Sequence, residues 1–77
     1  MKRGIKEIDL HGWKLADAEK LFYELLNEAR FQRKIIERLF ITGTGVIRER
    51  FLVLAKEHDC HAYIPLANRG CIIVEFE

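Results

Sequence analysis

The chain has little of what would announce a function outright. It has only two cysteines, Cys60 and Cys71, and neither belongs to a C-x-x-C pair, so no zinc motif is legible. Both fall inside apolar, strand-like runs, where a thiol behaves as a small hydrophobe. A secreted mini-domain of this size would carry more bridges, so the two are read as buried free thiols. No apolar run approaches the ~20 residues needed to span a bilayer, and no apolar stretch follows the basic start Met1-Lys2-Arg3-Gly4, as a secretory leader requires. The expected compartment is therefore the cytoplasm, with no membrane partner. A charge excess is missing too: 13 Lys and Arg stand against 12 Asp and Glu, a formal net charge of +1. That sum does not mark a nucleic-acid binder; if phosphate is bound, the cations must be grouped in space. There are no internal repeats and no low-complexity tract.

What is present is a globular composition, 49% hydrophobic and 32% charged over 77 residues. That length is expected to make one domain, residues 1–77, with a modest core: a chain this short buries only about 60% of its unfolded surface. Ile5 to Leu10 alternates as a short strand and ends at His11-Gly12. Ala18, Leu21, Phe22, Leu25 and Ala29 form one apolar stripe at helical spacing, predicting a helix from Leu15 to about Gln32. It lacks a Ser, Thr or Asn cap, and Asp17 lies a turn late. Arg30, Arg33, Lys34 and Arg38 follow, mixed with Ile35 and Ile36, and read as a polar connection. Leu39-Phe40-Ile41 is a short buried strand running into Thr42-Gly43-Thr44-Gly45. Val46 to His58 is a second helix, with Ile47, Phe51, Leu54 and Ala55 inward. Cys60 to Ile64 is a strand stopped by Pro65, Ala67 to Gly70 a tight turn, and Cys71 to Phe76 the last strand. The order β-α-β-α-β-β predicts an α/β (α+β) two-layer sandwich: a four-stranded mixed sheet with both helices on one face.

If the first two strands are parallel, the loops after them share the carboxyl edge of the sheet, where open α/β folds hold ligands. Thr42, Gly43, Thr44 and Gly45 open a helix. Glycine lets a backbone approach closely, and the unpaired N–H groups of a helix start, with the dipole behind them, suit a phosphate. Arg48 and Arg50 stand in the following turns and can add charged hydrogen bonds. Without a ligand, the same glycines simply permit a strand-to-helix turn. Asp9 and His11 pair an acid with an imidazole, the side chain that exchanges protons near neutral pH. Asp9 either orients His11, helps place a divalent metal, or merely caps the turn. No metal set is evident from ligand spacing; His58 and His61 flank Cys60, but His61 points away from it along a strand. Trp13 either stacks on a base or packs on the helix it precedes. The basic cluster from Arg30 to Arg38 is either a solvated surface or an extension of a phosphate footprint.

Two motifs, in order and on matching elements, carry a resemblance. Ile8-Asp9-Leu10-His11-Gly12 before one helix and Ile41-Thr42-Gly43-Thr44-Gly45 opening a second resemble the Smr (small MutS-related) domain. The segment Tyr63-Ile64-Pro65-Leu66-Ala67 and the strand led by Gly70 are similar to that family's C-terminal end, so the likeness covers nearly the whole chain. Where that family often has Lys between the two glycines, this chain has Thr44, with Arg48 nearby as the replacement cation. The resemblance implies a β-α-β-α-β-β sandwich that binds DNA or RNA and nicks it, in a setting of DNA repair or of ribosome-linked RNA cleavage. It maps Asp9 and His11 onto the first motif and Thr42, Gly43 and Gly45 onto the second. It also implies a larger host protein or a ribosome as a partner. Two other readings stay open: a docking module for nucleic acid or ribosome without catalysis, and a protein-interaction domain using the open sheet face around His61 and Tyr63.

Overall fold

A computed structural model describes residues 4–77. The basic start at residues 1–3 lies outside the described residues. The elements are β1 (Lys6–Asp9), α1 (Leu15–Gln32), β2 (Ile36–Ile41), α2 (Val46–Glu57), β3 (His61–Tyr63) and β4 (Cys71–Phe76). They form one four-stranded sheet in the order β1-β2-β4-β3. β1 runs parallel to β2, with Asp9 opposite Ile41, while β4 is antiparallel to both β2 and β3. The expected mixed sheet is therefore the observed one.

Alternation along each strand decides which layer its side chains join. Ile8 and Leu10, Ile36 and Phe40, and Ile72, Val74 and Phe76 turn toward the helices and share one core with Ala18, Phe22, Leu25, Leu26 and Ala29 of α1 and Phe51, Leu54 and Ala55 of α2. Leu26, one turn beyond Phe22, belongs to that buried set too, while Leu21 is only partly buried. Four phenylalanines hold the layers together edge to face: Phe22 lies 4.9 Å from Phe76 and 5.1 Å from Phe51, and Phe40 lies 5.0 Å from Phe51, centroid to centroid. Rings in this geometry add to simple area burial.

Three sequence expectations need adjustment. β2 starts at Ile36, not Leu39, so the polar connection shrinks to residues 33–35. Its first half reads as polar because Glu37 and Arg38 sit within a strand that is paired on both sides, Arg38 opposite Lys6 and Val74. β3 is shorter than Cys60 to Ile64, and the link to β4 is a seven-residue loop, 64–70, not a tight turn. Arg30, Arg33 and Lys34 of the basic cluster lie at the far end of the sheet from the β1 and β2 loops, about 20 Å away at ~3.3 Å per strand residue, while Arg38 stands within β2. There Arg30 donates to the carbonyls of His58 and Glu77, at 2.8 and 3.1 Å, tying the ends of α1 and α2 to the chain beyond β4.

Cys60 and Cys71 are both free and buried. Burial, helped by the negative charges of Glu7 and Asp9, pushes the Cys71 thiol up. Since the thiolate is the reactive form, a raised thiol reacts more slowly at any given mildly alkaline pH. Both thiols are expected to react with a disulfide reagent slower by about tenfold or more in the folded chain than in urea. Fast reaction of either cysteine in buffer would contradict this packing.

Candidate functional site

Because β1 and β2 are parallel and β4 returns between β2 and β3, three loops meet at one edge: Leu10–Lys14 after β1, Thr42–Gly45 after β2, and Asn68–Gly70 before β4. The contact is direct. The Leu10 N–H donates to the Ile41 carbonyl at 2.9 Å, and the Thr42 and Gly43 N–H groups both donate to the Gly70 carbonyl, at 3.0 and 2.8 Å. Asp9, His11 and the Thr42–Gly45 loop, some thirty residues apart in the chain, thus stand side by side.

Most of the predicted residues have a definite place, while Thr44 stands exposed between Gly43 and Gly45. The Asp9 carboxylate accepts the backbone N–H of His11 at 2.8 Å. It therefore caps the turn and orients His11 through the main chain. The His11 side chain is exposed, and among the described residues it makes no hydrogen bond. Thr42 and Gly43 are the frame of their loop and not its anion donors, because their N–H groups are already committed to Gly70 and the Thr42 hydroxyl donates to the Gly43 carbonyl at 2.8 Å. The open donors lie one step later. α2 starts after Gly45 with no side-chain cap, and its first internal bond runs from the Glu49 N–H to Gly45. Val46, Ile47 and the Arg48 backbone therefore present unpaired N–H groups at the positive end of the helix dipole. α1 likewise starts at this edge, after Lys14, without a side-chain cap.

The two arginines are less available than their spacing implies. Arg48 donates to the Arg69 carbonyl and forms an ion pair with Glu49 at 2.9 Å, bracing the β3–β4 loop against α2. Arg50 turns away from the edge and pairs with Glu19 on α1, which favours its charged form. Two exposed cations stand at this edge, Lys14 and Arg69, and sequence reasoning passed over Arg69 as part of a turn. Asn68 fixes that turn by accepting the Gly70 N–H at 3.1 Å. The signal was available: a strand antiparallel to β2 must begin where β2 ends, so the loop before it has to reach this edge.

Charge also says which surface a polyanion can approach. The uncovered sheet face presents Glu7 and Asp9 from β1, Glu37 from β2 and Glu75 from β4 around Leu39, Ile41, Ile73 and Tyr63, while Lys6 and Arg38 fall on the opposite side by register. Phosphate is repelled there. The loop edge joins two helix starts, Lys14 and Arg69 to Asp9 and the first-turn carboxylates Asp17 and Glu49, so any attraction for phosphate there is local to the free N–H groups and not one of net charge. Among the described residues no three His, Cys, Asp or Glu side chains come close enough to hold a metal ion, and no helix is long and apolar enough to cross a membrane. Comparison with known protein families, with curated proteins and with solved structures finds no match.

Gly43 is where the loop depends on its residue type. Its φ of +75° is left-handed, and the space around a Cβ there is open. A side chain is thus opposed by backbone strain and not by a clash. Gly43→Val should lower stability by about 1–2 kcal/mol in urea unfolding, and Gly43→Asn by less, since Asn tolerates this conformation.

Proposed function

We propose that this domain binds nucleic acid at the loop edge and nicks it, as its resemblance to Smr domains implies, with the cytoplasm as its compartment. One observation carries the reading: His11, exposed and with its backbone N–H held by Asp9, is on a loop hydrogen-bonded to the end of β2, the strand whose next loop leads to the uncapped start of α2. A backbone phosphate received by the N–H groups of Val46, Ile47 and Arg48, with Arg69 neutralising a second oxygen, stands next to a group able to exchange a proton with the attacking or the leaving oxygen. Where the strand is RNA, the 2′-hydroxyl attacks phosphorus, a 2′,3′-cyclic phosphate forms and the 5′-oxygen leaves; His11 serves one of the two proton transfers, off the 2′-hydroxyl or onto the 5′-oxygen, and solvent water serves the other. Asp9 acts by positioning.

The test is incubation of the purified domain with labelled single-stranded RNA and with branched and plain DNA, beside an Asp9→Ala/His11→Ala double variant. Cleavage by the wild type alone supports the assignment, and equal cleavage by both overturns it. The commitment of the Asp9 carboxylate to the turn, which leaves His11 as the one proton-exchanging group of the proposed site, favours one second reading, a docking module for nucleic acid or a ribosomal surface. Salt-sensitive binding with no product from either form would select it.

A further inference from the structure

Trp13 is the chain's one tryptophan, and it is left 43% exposed at the turn that carries His11. The Trp13 backbone N–H donates to the Leu10 carbonyl at 2.9 Å, which fixes where the side chain leaves the loop. The indole forms one wall of a depression of about 560 Å³, with partly buried Leu21 beneath and Lys14 and Lys20 alongside. That volume falls in the range of small-ligand sites, about 300–1,000 Å³. The depression lies on the flank of α1 away from α2, because Glu19 and Tyr23 on the other flank meet Arg50 and His58. It begins at Gly12, beside His11. Asp17 and Glu24 also line it, so its two lysines are balanced by two carboxylates and bulk charge attraction alone does not explain a ligand there. The aromatic surface is the distinguishing feature. An aromatic ring next to cations, two residues beyond His11, is the arrangement that holds a base by its face and the neighbouring backbone by charge.

We propose that Trp13 is a stacking platform for one unpaired nucleobase, with Lys14 and Lys20 meeting the phosphates that flank it. This rests on the nucleic-acid reading above and narrows it. A base inside a duplex cannot offer its face, so the substrate is a single strand, crossing from the start of α2 past His11 and onto the α1 flank.

The lone indole is its own reporter. The wild-type chain is titrated with an eight-residue oligoadenylate, offered as RNA and as DNA, with the same DNA strand made abasic at its central positions, and with a blunt duplex. Strand anisotropy reports binding, and indole emission reports stacking. The intact strands are expected to quench the indole, whereas the abasic strand and the duplex leave it unmoved. Trp13→Ala should weaken binding of the intact strand about 5- to 140-fold, the range that one base–aromatic stack provides. Trp13→Phe should recover most of that loss, and neither variant should change affinity for the abasic strand. Circular dichroism checks that each variant is folded. If Trp13→Ala does not fold, Trp13→Phe and the abasic comparison still decide. Equal affinity for intact and abasic strands with unmoved emission overturns the platform alone. No anisotropy change with any strand overturns the nucleic-acid reading and the platform with it.

Discussion

Phe22→Ala is expected to remove most of the domain's stability. Phe22 is fully buried and stands edge to face with Phe51, Phe76 and Tyr23, so it joins α1 to both α2 and the central strand β4. Truncating a buried Phe costs about 3–5 kcal/mol, part lost burial and part residual cavity. A chain of 77 residues has roughly 4–12 kcal/mol in all at typical values per residue, and small domains sit at the low end. No neighbour can refill the space cheaply, because the surrounding rings are locked against one another. With a urea slope near 1 kcal/mol per molar for a domain this small, the unfolding midpoint should fall by about 3 M or vanish. A shift below about 1 M would mean that the four-ring cluster is looser than its geometry.

His11→Ala is expected to lower cleavage by about 10²–10⁴-fold, the usual share of a positioned proton-transfer group, while strand affinity stays within about threefold, because the imidazole is not among the phosphate contacts proposed here. The Asp9 variants then separate two roles for its carboxylate. Asn keeps a side-chain oxygen that can accept the His11 N–H, so Asp9→Asn should retain the turn and most of the activity. Asp9→Ala removes the acceptor, frees the loop and should lose nearly as much as His11→Ala. Single-turnover rates on the labelled strand make the comparison. If Asp9→Asn is as inactive as Asp9→Ala, the charge itself takes part in the reaction and the positioning role given to Asp9 is wrong.

The stripe from Ala18 to Ala29 made α1 plain, and the alternation of Ile8 and Leu10 made β1 plain, so the β-α-β unit and the meeting of its two loops could be read from the sequence. The first half of β2 could not, because Glu37 and Arg38 break the apolar pattern and become tolerable only once both neighbouring strands are paired to it. In the candidate site, Asp9, His11 and the Thr42–Gly45 turn were visible as residue types. What each backbone donor does was not: that Thr42 and Gly43 spend their N–H groups on Gly70 follows from the position of β4 between β2 and β3. For the same reason Arg48 looked like a free cation, although its partner is the carbonyl of Arg69, twenty-one residues further on.

The same strand order bears on how the chain fails. Cys71–Phe76 is its densest run of strand-forming residues, and it occupies an interior position, hydrogen-bonded on both sides. The two edges are left to β1, four residues and largely charged, and to β3, three residues. An intact fold thus offers an incoming chain a template too short to extend. Only when the rings beneath β4 give way does a segment able to seed fibrils become available, so aggregation of this domain should track global unfolding and not protein concentration in the folded state.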